Sequence, residues 1–192
     1  MFKNHITSYI NRLTNSLSPD AMERVEDLAL AFLAAWQSGK SIYFCGNGGS
    51  AGNAIHLAND FIYGAGLGFG RGLKVEALSA NPAVLTCLAN DIGYDQIYSE
   101  QIRVKGQSGD ILIALSGSGN SPNILKALEV GNSLGLKTFA ILGFDGGRAK
   151  HLAQIPIHFP VQDMQIAEDL QLIVGHICMQ WLCDNPPSKQ QT

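Results

Sequence analysis

Charge is scarce in this chain. Lys, Arg, Asp and Glu make up 15% of its 192 residues, and the formal net charge is −3. No basic stripe is available to neutralise a nucleic-acid backbone, so direct nucleic-acid contact is not expected. Long apolar runs are also missing. Without a run of about 18 such residues no membrane span is expected, and the N-terminal MFKNHITSYINRL lacks the apolar core of a signal peptide. Cysteine is sparse. Cys45, Cys87, Cys178 and Cys183 show no CxxC spacing, so they read as reduced, mostly buried thiols of a cytoplasmic protein. Neither GxGxxG nor a Walker lysine occurs, which disfavours dinucleotides and nucleoside triphosphates. What the chain does hold is apolar residues, 46%, and 21 glycines. This suits a single domain with a substantial core.

Two helices open the chain and form an N-terminal extension over residues 1–38. In the first, Phe2, Ile6, Tyr9, Ile10, Leu13 and Leu17 recur at spacings of three and four. The second starts at Ser18 as N-cap with Pro19 in its first turn. Met22, Val25, Leu28, Phe32, Leu33 and Trp36 form its stripe, and Gly39 ends it. The first helix has an apolar face of its own, suited to a partner subunit. From Gly39 onward, short apolar runs alternate with helical segments. Ser41–Cys45, Val75–Leu78, Asp110–Leu115, Thr138–Leu142 and Ile155–Phe159 read as five strands. Helices are predicted from about Ser50, Pro82 and Ser121, near Gly147–Leu152, and from about Gln165 to Cys183. This order predicts an α/β fold, a doubly wound parallel sheet with helices on both faces. The whole chain, 1–192, reads as one domain, with 186–192 as a polar tail.

Two loops have the composition of ligand sites. After the third strand, Ser116, Gly117, Ser118, Gly119, Asn120 and Ser121 lead into a helix with Pro122 near its first turn. Glycines let a backbone approach, hydroxyls and N–H groups donate, and the helix dipole favours an anion; this suits a phosphate. The plainer reading is a flexible loop in which Ser121 merely caps the helix. After the first strand, FCGNGGS offers a second approachable backbone, with Asn47 and Ser50 able to bond hydroxyls. In open α/β sheets such loops meet at the carboxyl edge. On the following helix His56 and Asp60 stand one turn apart on one face, able to share a metal or a proton, or simply to be a surface pair. On the last helix Glu168 and His176 lie among apolar residues. His176 reads most simply as a satisfied core histidine. Eight residues, about 12 Å of helix, separate it from Glu168.

Taken in order, CGNGGSAGNAIHLAND, LANDIGYDQIYSEQI, LSGSGNSPNILKAL, DGG and AEDLQLIVGH resemble the phosphoheptose (sedoheptulose 7-phosphate) isomerases of the SIS-domain superfamily. The resemblance covers nearly the whole chain. It implies a five-stranded, flavodoxin-like sheet, a homotetramer and a cytoplasmic location. The implied reaction converts sedoheptulose 7-phosphate to D-glycero-D-manno-heptose 7-phosphate, which feeds heptose biosynthesis for lipopolysaccharide. It implies substrate contacts from Asn47, Gly48, Gly49 and Ser50, from Asn90 and Asp91, and from Ser116, Gly117, Ser118 and Ser121. The family's zinc-binding and catalytic positions match His56, Asp60, Glu168 and His176. Asp60 would be the base and His176 its acid/base partner; Asp60 and Glu168 would also touch substrate. One Zn²⁺ per subunit is implied, with the four as ligands.

Two of those positions depart from the family, with Asp60 in place of Glu and Glu168 in place of Gln. The shorter Asp withdraws its carboxylate by roughly 1.5 Å, a misplacement that can cost about 100-fold in rate. Glu168 adds a charge that a cation would balance. The alternative is a non-catalytic SIS protein that binds sugar phosphate together with a replication initiator or a regulatory protein. The catalytically silent relative lacks the carboxylate at position 60, which favours an enzyme.

Overall fold

The computed structural model describes residues 1–187. The last five residues of the expected polar tail lie outside the described residues; ahead of them, Pro187 is buried.

Two helices come first, α1 (Phe2–Ser16) and α2 (Pro19–Ser38). Ser18 caps α2 through its side chain, accepting from the Ala21 N–H, and Gly39 ends it in the left-handed conformation at φ +67°. Val25, Leu28, Phe32 and Trp36 are buried, as their spacing predicts. By contrast α1 buries none of its residues. Tyr9 and Leu13 lean on the core, while Phe2, Ile6 and Ile10 remain exposed.

The rest alternates strand and helix: β1 (Ser41–Gly46), α3 (Gly49–Ile62), β2 (Lys74–Ala77), α4 (Pro82–Asp91), α5 (Ser99–Lys105) and β3 (Ile111–Ser116). It continues through α6 (Pro122–Ser133), β4 (Lys137–Leu142), α7 (Ala149–Leu152), β5 (Ile155–His158) and α8 (Met164–Asp184). The five strands form one parallel sheet in the order β2-β1-β3-β4-β5. Side chains alternate across it with period two. Ile42, Phe44, Ile113 and Ile141 face α2, α3 and α8. Tyr43, Cys45, Leu112 and Ala140 face the α5, α6 and α7 side. Every residue of β3 is buried, as befits the central strand of a sheet covered on both faces.

Three features differ from the sequence reading. The seven-residue α5 was not anticipated, because it is too short to establish a helical period; Ile102 alone among its large apolar residues is fully buried. Helix α4 is present but buries nothing. All four cysteines are free, yet only Cys45 and Cys178 are buried; Cys87 and Cys183 are exposed. Burial pushes the thiols of Cys45 and Cys178 up to about 12, so neither is a nucleophile at neutral pH. Among the described residues no helix is long and apolar enough to cross a membrane.

The strand order reverses between β1 and β3, so the loops that follow these strands are neighbours at the carboxyl edge, where an open α/β sheet presents a crevice.

Candidate active site

The loop after β3 is built to lie flat. The Ser116 hydroxyl accepts from the Gly119 N–H at 3.0 Å, and that of Ser118 from the Asn120 N–H at 3.3 Å. Gly119 adopts φ +66°, and a Cβ there would come within 2.0 Å of the Gly146 carbonyl. Only glycine lets this backbone rest on the Asp145–Gly147 stretch after β4. Ser121 occupies the N-cap position of α6 but makes no capping hydrogen bond with its side chain. Asn81 and Asp163 do cap α4 and α8 through their side chains. The Ser121 hydroxyl is therefore not engaged by the helix; in the first turn Pro122 has no N–H, and the Ile124 and Leu125 N–H groups both reach the Ser121 carbonyl, at 3.0 and 3.1 Å.

Across the crevice, Gly48 and Gly49 are exposed at the start of α3, while Ser50 is buried and accepts from Gln171 Nε2 at 3.0 Å. The two loops are joined by a reciprocal amide pair. Asn47 Nδ2 donates to Asn123 Oδ1 at 2.9 Å, and Asn123 Nδ2 donates to Asn47 Oδ1 at 2.8 Å. A third segment reaches the same point. Asn90 and Asp91 end α4, both exposed, with the Asn90 amide donating to Asp91 Oδ1 at 2.8 Å. The chain turns back at Gly93, and the Tyr94 hydroxyl donates to Asn47 Oδ1 at 2.9 Å.

Farther along α3, the charged groups converge. Helices α3 and α8 run side by side in the same direction, with Gly49 against Glu168, Leu57 against Gly175 and Gly64 near Met179. Contact is closest in the middle, where a Cβ on Gly175 would meet Leu57 Cδ2 at 2.2 Å. This close approach brings together His56 and His176, the residues next to that pair. Their Nε2 atoms are 3.0 Å apart, and each lies 3.5 Å from Asp60 Oδ2. Three donors around one tetrahedral ion, each about 2.0–2.1 Å from it, stand about 3.3 Å from one another. The observed separations match that triangle, so the three residues fit one divalent ion and leave a fourth position open. Asp60 is the most enclosed, its side chain 17% exposed against 50% for His56 and 44% for His176.

Comparison with known proteins accords with this arrangement. A family model of the SIS domain matches residues 5–143. The chain is 35% identical over 177 residues to the phosphoheptose isomerase of Aneurinibacillus thermoaerophilus, covering 91% of this chain and 88% of the relative. It is 34% identical over 163 residues to that of Clostridium acetobutylicum, covering 85% and 81%. The chain belongs to the SIS-domain family, in the branch of the phosphoheptose isomerases. The fold of this SIS domain matches the structure of the phosphoheptose isomerase from Neisseria gonorrhoeae with a TM-score of 0.85 at 24% identity, over 96% of this chain and all of the other.

Within this SIS domain, three of the four expected metal ligands lie together and one does not. Glu168 sits two turns above His176, with its carboxylate over Gly49; a Cβ on that glycine would come within 2.3 Å of Oε2. A rise of about 12 Å between them keeps the two side chains of one helix apart. Nor is His176 a core histidine. It lies at the rim of the α3–α8 contact, and its partners are His56 and Asp60. Sequence reasoning passed over Asn123, Tyr94 and Gln171. Asn123 and Gln171 are buried polar side chains inside otherwise apolar helix faces, and that break in the apolar pattern was the one signal available.

Proposed function

We propose that this protein is an aldose–ketose isomerase whose substrate is sedoheptulose 7-phosphate and whose product is D-glycero-D-manno-heptose 7-phosphate. The observation that carries this reading is the Asp60 carboxylate held between two imidazoles, 3.5 Å from each. Isomerisation moves a proton from C1 to C2 through an enediol and moves a second between the two oxygens. Asp60 takes the carbon proton and returns it to the neighbouring carbon. His176 exchanges the oxygen proton, and His56 orients the pair. Ser116, Gly117, Ser118 and Ser121 hold the phosphate, while Asn47, Gly48, Gly49, Ser50, Asn90 and Asp91 bind the sugar. Glu168, at the mouth of the Gly48–Gly49 loop, faces substrate rather than the triad of its own chain. Zinc on His56, Asp60 and His176, one ion per subunit, would occupy the His176 Nε2 and so would take over its task, supplying a Lewis acid for the developing oxyanion while the second Asp60 oxygen stays free to move the carbon proton.

The triad stands two to three turns along α3 from the Gly48–Gly49 loop, about 10–16 Å. A homotetramer in which a second copy closes the gap fits this spacing, and the related isomerases give the reading its substrate.

The test is an assay with sedoheptulose 7-phosphate, with and without added zinc. Turnover is expected, rising with zinc. Asp60→Asn should lower kcat by at least about 100-fold, the usual worth of a positioned base, while sugar phosphate still binds. Binding without turnover, with or without zinc, would instead make the protein a sugar-phosphate sensor acting on a protein partner.

A further inference from the structure

We infer that Asn123 and Tyr94 are positioning residues that turn the Asn47 amide into a dedicated donor toward a sugar oxygen, coupling three ligand-binding segments through one side chain. The inference rests on the sugar-phosphate reading of the crevice.

The hydrogen-bond sense is set by the backbone. Asn123 is 1% exposed and sits on the first turn of α6, two residues after Ser121. Its Oδ1 lies 3.0 Å from the Ile124 N–H, which it shares with the Ser121 carbonyl, also at 3.0 Å; an amide NH₂ in its place would set donor against donor. The other end of the Asn123 amide must then be the NH₂, and it faces Asn47. Asn47 is consequently oriented with its oxygen toward that NH₂ and its own nitrogen toward Asn123 Oδ1. The Tyr94 hydroxyl donates to the same Asn47 oxygen. An amide oxygen has two lone pairs and an amide nitrogen two hydrogens. Both lone pairs of Asn47 are taken, and so is one hydrogen. What remains is a single N–H without a protein acceptor among the described residues, which can donate to a carbonyl or hydroxyl oxygen and can accept nothing.

The three segments joined here are separate in the chain. Asn123 comes from the helix that starts at the Ser/Gly loop, Asn47 from the loop after β1, and Tyr94 from the turn that follows Asn90 and Asp91. A core position on α6 needs no amide for stability, since an apolar side chain of like volume would pack with no polar group to satisfy. The amide matters because unpairing it would let Asn47 rotate and present either end.

Calorimetry with two probes tests this, using sedoheptulose 7-phosphate and inorganic phosphate on the full chain. Tyr94→Phe should weaken sugar-phosphate binding about 3–10-fold and Asn123→Ala about 10–100-fold, each leaving phosphate affinity within about twofold. KM should rise by more than kcat falls. Adding Asn123→Ala to Asn47→Ala should cost nothing beyond Asn47→Ala alone, because Asn123 acts through Asn47. Additive losses, or equal weakening toward both probes, would overturn the inference. If Asn123→Ala does not fold, the exposed Tyr94 ring gives the same test through Tyr94→Phe, and unchanged sugar-phosphate affinity there is equally fatal. A wild-type protein that binds phosphate but not the sugar phosphate would remove the isomerase reading as well, whereas wild-type binding with unshifted variants removes this inference alone.

Discussion

Ser121 is the residue on which the phosphate assignment turns. Its hydroxyl stands at a helix start without bonding the helix, so Ser121→Ala should leave the melting temperature within about a degree. Affinity for sedoheptulose 7-phosphate should fall about 5–30-fold, equivalent to 1–2 kcal/mol for one charge-assisted bond. Asn81 is the natural control. It bonds the Ala83 and Val84 N–H groups at 3.1 and 3.2 Å, so Asn81→Ala should lower stability by about 1 kcal/mol. Lost stability with intact affinity in the Ser121 variant would return that residue to a capping role. The sequence could not separate the two readings. A serine before Pro122 looks the same in sequence whether or not its hydroxyl turns toward the helix.

At the scale of elements, α1 is the least secured part of the fold. It buries no residue and is tied to α8 and its N-cap by Tyr9 to Asp169 and Arg12 to Asp163. The hydrogen bond to Asp169, aided by burial and nearby carboxylates, raises the Tyr9 phenol from 10.0 to about 12. The folded state thus favours the neutral phenol. Its contribution is complete below the unfolded value and is lost as pH climbs from about 10 to about 12. The stability difference between the wild type and Tyr9→Phe, measured by denaturant titration, should therefore shrink across that window. A difference that stays constant there would show that the tether contributes nothing. Asp163 behaves oppositely. Arg12 holds its carboxyl below the usual range, so that contribution is present at neutral pH and fades only as acid protonates it.

At the scale of the whole molecule, several large apolar side chains lie uncovered. Phe2, Ile6 and Ile10 on α1, Ile55 and Ile62 on α3, and Ile177 beside His176 are all exposed. The last three border the His56–Asp60–His176 triad along its helices. Surface of this kind marks contact with other chains, and closed symmetry is its usual form. Light scattering at micromolar concentration should give four copies of the 20.6 kDa chain. Replacing Ile6 and Ile10 together by Ser should lower that mass without unfolding the sheet. A monomer in the wild type would leave the distance between the Gly48–Gly49 loop and the triad unbridged.

Local chemistry determined much of this protein outright. The five short runs read as strands, of which β1, β3 and β4 are buried nearly throughout, the Ser18–Pro19 start and Gly39 stop bounded α2, and the i, i+4 spacing put His56 and Asp60 on one face. The Ser/Gly loops stood out by composition, since glycine lets a backbone approach a neighbour closely, and the sheet sets both at its carboxyl edge. Convergence was not legible, because it depends on how helices pack. Gly175 lets α3 and α8 touch, which joins His176 to His56 and Asp60 and leaves Glu168 two turns away over Gly49. Asn47, Asn123 and Tyr94 met for the same kind of reason. They come from three segments far apart in sequence, and only the reversal of strand order between β1 and β3 sets two of those segments side by side, where the turn after α4 reaches them.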